Sequence, residues 1–236
     1  TPTVSYHMHN EAGRAAELTE ELKAGARIAV VSDAGTPGIA DPGREIVAAA
    51  IAAGVPVFPV PGANAAVSAM IASGLTGGGE TGERFTFQGF LPAKGGQRKT
   101  ALESLARDGG TQIFYEAPHR ILETLADVEA VFGSDQPVVV ARELTKIHEE
   151  FLRGTAQEVR ATLAARSSVR GEIVLLFTPV ETAKTVETGG STLAEEVRRL
   201  MQSEGIAEME ALKRVAKARG MGKSEAYREL QRGRGR

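Results

Sequence analysis

The sequence predicts an α/β protein of two lobes followed by a basic helical extension. Three observations predict it. Short β-branched runs alternate with helical segments through most of the chain, which argues for a sheet with helices on its faces. Gly- and Pro-rich loops stand where strands hand over to helices. The chain then closes on basic helical segments separated by a Gly-containing turn.

The elements follow in order. Glu11 to Ala24 has helical spacing, with Leu18 and Leu22 on one face, and stops at Gly25. Arg27 to Val31 is a β-branched run of the buried-strand kind. Gly43 to Ala53 reads as helix, Val55 to Val60 as strand and Ala63 to Ser73 as helix. Gly74 to Arg84 holds five glycines and predicts a loop or connector. Phe85 to Leu91 is a strand, Gln97 to Arg107 a helix and Gln112 to Glu116 a strand. Arg120 to Phe132 is an amphipathic helix carrying Ile121, Leu125, Val128 and Phe132 on one side. Pro137 to Arg142, Glu149 to Gly154 and Glu172 to Phe177 predict three more strands, with a helix over Ala156 to Ala165. The expected boundaries are a first lobe over 1–76, a second over 77–180, a linker over 181–190 and a helical domain over 191–236. Within the last, Ser191 to Leu200, Glu208 to Ala218 and Lys223 to Gln231 are helical, in the outline of a helix-turn-helix.

Composition narrows the chemistry. The 236 residues include no Cys, so disulfides and thiol catalysis are excluded, and a reducing cytoplasm is compatible. No apolar run approaches the roughly 20 residues of a bilayer span, so no membrane association is expected. His7 and His9 lack a third clear ligand, and no metal is expected. The dinucleotide fingerprint, the P-loop and the nucleophile elbow are all absent. Charge is uneven: from Arg198 onward eleven basic and five acidic residues give +6, leaving −8 for the rest of a chain whose formal net charge is −2. Such a tail suits a polyanion, or else forms a solvated helical surface.

The chemistry-bearing residues gather at strand-to-helix junctions. Ser32 to Gly43 follows one strand with three glycines and two prolines, and ligands of open α/β sheets bind at such carboxyl ends. Glycine lets backbone approach a ligand closely, and proline lowers the entropy lost on ordering. Pro61-Gly62-Ala63-Asn64-Ala65-Ala66 repeats the arrangement, with small residues opening a helix. Phe114 to Arg120 and Ala141 to Lys146 end two further strands with charge. Those charges are either acid–base and substrate-holding groups or an ion-pair cluster closing the sheet's rim.

SYHMHN, SDAGTPGIADPG, PGANAAVSA, GFLP, FYEAPHR and ARELTKIHEEFLRG occur in that order. Together they closely resemble the ribosomal RNA small subunit methyltransferase I family of tetrapyrrole methylases, from about Ser5 to Phe177. The resemblance implies two α/β lobes with S-adenosylmethionine in the cleft between them. It implies 2′-O-methylation of a cytidine ribose in the decoding region of 16S rRNA, by a cytoplasmic homodimer acting on the small ribosomal subunit. It further implies cofactor contacts at Ala34, Gly35, Thr36, Ile39, Asn64, Ala65, Glu116 and Leu144. Glu143 or Glu116 would accept the hydroxyl proton, with Asp33 as an outside candidate, while Arg142 and Lys146 hold phosphate. Two departures accompany it. Met8 stands where the family usually has Glu, and the family's first strand and its Pro/Gly loop precede anything in this chain, which implies an N-terminal truncation. Other substrates in the superfamily, a porphyrinoid or a protein, and a non-catalytic RNA-binding remnant, are the alternatives.

Overall fold

A computed structural model describes residues 2–75, 84–106, 108–180, 193–218, 221–222, 226–227 and 230. The expected boundary at 76/77, the linker over 181–190, most of the third C-terminal helix and the Arg-Gly tail fall outside the described residues. The chain divides into two compact units, Thr1–Pro179 and Val180–Arg236.

The first unit is built on one five-stranded sheet. Its strands are β1 (Phe85–Phe90), β2 (Thr111–Glu116), β3 (Pro137–Arg142), β4 (Glu150–Thr155) and β5 (Ile173–Phe177), in the order β1-β2-β5-β3-β4. Only β1 and β2 pair in parallel; β5 is antiparallel to both neighbours, and β4 is antiparallel to β3. The central position of β5 explains its unbroken apolar run, Ile173 to Phe177, every residue of which is buried.

Side-chain alternation splits the core in two. On one face Phe114, Val140, Leu175 and Phe177 pack with Leu102 of α4 (Gly95–Leu105), Leu125 and Phe132 of α5 (Ile121–Phe132) and Leu163 of α6 (Ala156–Ala164). Phe114 stacks on Phe177 with ring centroids 5.6 Å apart. Each such buried side chain contributes about 1.5–3 kcal/mol. On the other face Ile113, Val139, Ala141, Val174 and Leu176 meet Ala66 and Ala69 of α3 (Ala65–Ser73). Small residues on α3 let its backbone lie close to the sheet. Arg153 of β4 donates to the carbonyls of Ala72 and Ser73 at 2.6 and 3.2 Å, closing the helix's carboxyl end.

The expected strands at Arg27–Val31 and Val55–Val60 do not form: neither segment has a ladder partner among the described residues. A strand requires a neighbour for its backbone donors and acceptors, and no described strand adjoins these two. Their side chains stay exposed: Val31 is 84% accessible, Phe58 82% and Val60 88%. The helices that precede the two segments, α1 (Glu11–Lys23) and α2 (Arg44–Ala52), pack on each other through Ala15, Leu18 and Ile46.

In the second unit α7 (Leu193–Glu204) and α8 (Glu208–Ala218) enclose Val197, Leu212 and Val215 together with Ala226 and Leu230. Gly205, with φ of 65°, makes the turn between the helices. Arg198, Lys213 and Arg214 are exposed.

Candidate functional site

Strand register gathers the later motifs at one end of the sheet. Glu116 pairs with Ile173, Ile173 with Arg142, and Arg142 with Glu150. The carboxyl ends of β2 and β3 therefore share a rim with the start of β5. The two charge-bearing motifs lie apart in the chain and meet there.

The loop from Ser32 to Gly43 is internally braced. The Gly38 N–H donates to the Pro42 carbonyl at 3.1 Å, Arg44 Nε to the Gly38 carbonyl at 2.9 Å, and Ser32 Oγ to the Ala34 carbonyl at 3.1 Å. Gly35, Gly38 and Gly43 take positive φ, as does Ala40 at 58°. Glu11 Oε1 accepts from the Gly43 N–H at 2.9 Å and the Glu45 N–H at 3.4 Å, which caps α2 from a neighbouring helix. The Gly43 N–H foremost holds the Glu11 carboxyl below its ordinary range. Behind the loop lies a cavity of about 320 Å³ lined by Val30, Thr36, Ile39, Arg44 and Val47 among others.

The second loop touches the first. Thr36 Oγ1 donates to the Ala63 carbonyl at 2.9 Å, and a Cβ on Gly35 would lie 3.8 Å from that same oxygen. Asn64 accepts from the Val67 N–H at 3.1 Å and so caps α3. Its side-chain oxygen is committed to the helix, leaving its amide group for a ligand. Ala65 and Leu144 join one apolar cluster with Tyr115 and Phe87. Thus Gly35 and Thr36 meet the Ala63–Asn64 segment, and Ala65 meets the apolar group of Leu144. Ala34, like Asp33, is exposed on the first loop.

The charged candidates are differently disposed. The Glu116 side chain is fully buried. It accepts from the Thr124 hydroxyl at 2.6 Å and the Ala117 N–H at 2.8 Å, and lies 3.4 Å from Arg120 Nε, an ion-pair distance without hydrogen-bond geometry. Arg120 in turn donates to the Leu91 and Pro92 carbonyls at 2.8 and 3.2 Å, tying the GFLP segment to this junction. Arg142 donates to Glu150 at 3.1 Å and to the Arg170 carbonyl at 3.1 Å. Arg166 grips both oxygens of Glu150 at 2.8 and 2.6 Å. Arg166 first, then Arg142, brings the Glu150 carboxyl down to about 2 against the burial that opposes it. Lys146 bridges Glu143 at 3.0 Å and Glu172 at 3.1 Å, and those contacts raise its ammonium above the ordinary lysine value. The Glu172 N–H, then Lys146, holds Glu143 below the ordinary carboxylate value. Arg142 and Lys146 are thus engaged by carboxylates within the protein. The arrangement matches the ion-pair rim, one of the two readings the sequence left open. Asp33 is exposed and makes no hydrogen bond or ion pair among the described residues.

Three residues of the site carried weaker sequence signals. Glu11 acts across 32 positions, which local pattern does not reveal. Tyr115 sits inside FYEAPHR, where strand alternation puts it opposite the buried Glu116. Its ring packs edge-on against Phe87 and Phe90 at 4.8 and 5.9 Å, and burial raises its hydroxyl pKa, keeping it protonated. Gly171 has φ of 92°, for which a lone Gly between charged residues is the only sequence sign. Among the described residues no cluster of His, Asp or Glu could hold a metal ion, and no helix is long and apolar enough to cross a membrane.

A five-stranded sheet with helices on both faces and charged junctions at its strand ends defines an α/β protein. The chain belongs to the tetrapyrrole (corrin/porphyrin) methylase family, whose model matches residues 2–160. It is similar to Ribosomal RNA small subunit methyltransferase I of Synechocystis sp., with 46% identity over 201 residues, covering 85% of this chain and 70% of that protein. The protein of the same name from Micromonospora olivasterospora is 49% identical over 173 residues, covering 73% of this chain and 53% of the relative. That from Bacillus subtilis is 47% identical over 176 residues, covering 75% and 58%. The chain thus spans between about half and 70% of the length of these relatives. Among solved structures, the crystal structure of the methyltransferase CobJ matches with a TM-score of 0.51 at 21% identity, over 71% of each chain, a likeness of fold.

Proposed function

We propose that the protein uses S-adenosylmethionine to methylate the ribose 2′-hydroxyl of a cytidine in the decoding region of 16S rRNA. The observation that carries this reading is the identity, 46% over 201 residues, with a relative named as a ribosomal RNA small subunit methyltransferase. The site supports it. Two loops of small residues are joined by the Thr36–Ala63 hydrogen bond, and beside them lies the Ala65–Leu144 cluster. Such a surface offers backbone groups and apolar contacts to a nucleoside and fits this cofactor better than it fits a metal or a phosphate. Ala34, Gly35, Thr36, Ile39, Asn64, Ala65 and Leu144 would hold it. When bound, S-adenosylmethionine supplies an activated methyl group, and its chemistry is its own.

The protein's part is alignment of the ribose oxygen with that methyl. A hydroxyl is a weak nucleophile, so a nearby carboxylate assists by taking its proton. Glu116 is buried among partners and Glu143 is stabilised as an anion, which makes both poor acceptors. Asp33, on the first loop, has its carboxylate free for this role. The reading places the enzyme in the cytoplasm as a homodimer acting on small ribosomal subunits, with the basic second unit adding phosphate contacts.

The deciding experiment offers radiolabelled S-adenosylmethionine with purified small subunits or with a porphyrinoid. Label on the 2′-oxygen of a 16S cytidine is the expected result. Label on the porphyrinoid, with none on the subunits, would overturn the substrate, and label on neither would support a non-catalytic RNA-binding remnant.

A further inference from the structure

The loop joining β3 to β4 carries two non-glycine residues in the left-handed region, Glu143 with φ of 52° and Thr145 with φ of 64°. Leu144 lies between them and packs in the cluster that holds Ala65 and Tyr115. Side chains disfavour this backbone region, so the surrounding contacts must impose it. Those contacts converge on one carboxylate. Glu143 Oε1 accepts from the Glu172 N–H at 2.9 Å and from Lys146 Nζ at 3.0 Å. Lys146 continues to Glu172 at 3.1 Å. Across the loop, Glu149 accepts from the Thr145 N–H at 2.6 Å.

Gly171 completes the arrangement. A Cβ at that position would come within 2.6 Å of both Glu143 Cδ and Oε1. The missing side chain is the space in which the Glu143 carboxylate sits. The backbone at Gly171, with φ of 92°, also aims the next N–H at that carboxylate. Removing either partner releases the loop on which Leu144 is mounted.

We propose that Glu143 is a positioning residue: with Gly171 and Lys146 it forms a lock that fixes Leu144 against the cofactor side of the site. The proposal rests on the cofactor reading above, but the lock itself is measurable without cofactor. An amide in place of the carboxylate keeps an oxygen for the Glu172 N–H. The lock therefore survives Glu143→Gln and fails in Glu143→Ala and Gly171→Ala.

The test combines hydrogen exchange on the free chain, calorimetry with S-adenosylmethionine, and methyl transfer to small subunits across pH. Exchange at residues 143–149 should rise about ten-fold in Glu143→Ala and Gly171→Ala and remain at the parent rate in Glu143→Gln. Cofactor Kd should rise about ten-fold in the first two variants, with kcat at saturating cofactor and the pH profile unchanged. Melting curves separate local release from unfolding, and Gly171→Ala leaves every charge in place. Parental exchange in Glu143→Ala overturns the lock. Parental exchange and Kd with abolished kcat in Glu143→Gln overturns positioning in favour of proton transfer. Loosened loops with parental cofactor affinity overturn the link to Leu144. Absence of cofactor binding by the parent chain overturns the functional reading, and exchange then still decides the lock.

Discussion

The Thr36 hydroxyl donates to the Ala63 carbonyl at 2.9 Å, joining two loops 27 residues apart. Both loops follow segments that lack ladder partners, so this bond helps to fix their separation. Its loss leaves the Ala63 carbonyl to water and loosens the loops. The net value of such a bond is about 1 kcal/mol. Thr36→Val, which keeps the shape and removes the donor, is expected to raise cofactor Kd about five-fold. Calorimetry measures this directly, and an unchanged Kd would remove the junction from the cofactor site.

Glu150 makes the first unit sensitive to acid. Its carboxyl titrates at about 2 in the fold against an ordinary value of 4.5, chiefly because Arg166 holds both oxygens. A depressed folded value means that the stabilisation is complete above the unfolded value and declines as pH falls from 4.5 towards 2. The full shift corresponds to at most about 3 kcal/mol. Urea midpoints measured from pH 6 down to pH 2 should therefore fall less steeply in Glu150→Gln than in the parent. Parallel curves would show that another carboxylate dominates acid unfolding.

Legibility in the sequence followed the range of the interaction. The central strand β5 was visible because five apolar residues in a row, far too few to span a bilayer, have few other fates than a buried strand. The boundaries of β4 moved by one residue, to Glu150–Thr155, because Thr155 and Glu158 form a capping box that starts α6 directly after the strand. Arg27–Val31 and Val55–Val60 have strand composition, but ladders depend on neighbours that local pattern does not encode. The loops carrying Thr36 and Asn64 were legible from their glycines and prolines. The fate of the charges was not. Arg142, Lys146, Glu116 and Glu143 show a sequence reader the charge but not the partner. Glu150, Glu172 and Gly171 are brought to them by strand pairing, and Thr124 by the packing of α5 on the sheet.

The Glu116 junction predicts a stability effect where the sequence suggested a chemical one. Its fully buried carboxylate faces Arg120 and accepts from Thr124 and Ala117. Glu116→Gln removes the counter-charge of a largely buried guanidinium and replaces an acceptor with a donor. Breaking such a pair costs about 3 kcal/mol. The expected outcome is a lower urea midpoint at unchanged m-value, and at permissive temperature a methyl-transfer rate close to the parent. A parental midpoint with a lost rate would restore Glu116 to the chemistry.

The second unit should carry a separable part of RNA affinity. Arg198, Lys213 and Arg214 are exposed on α7 and α8, while Leu212 and Val215 of α8 face inward. Lys213 and Arg214 lie 3.8 and 3.6 Å from Glu210, and exposed cations of this kind release counterions when they exchange such a partner for phosphates. Three such contacts with single-stranded RNA would give a slope of about −2 in log K against log salt. Removing residues 180–236 should lower the measured slope by about that amount and leave the affinity for free S-adenosylmethionine unchanged. Anisotropy titrations of a decoding-region RNA across salt concentrations measure the slope. An identical slope in the shortened chain would assign the phosphate contacts to the first unit. Arg170 is the cation of that unit's rim that no described acid engages, and Arg170→Ala would then be the variant that lowers it.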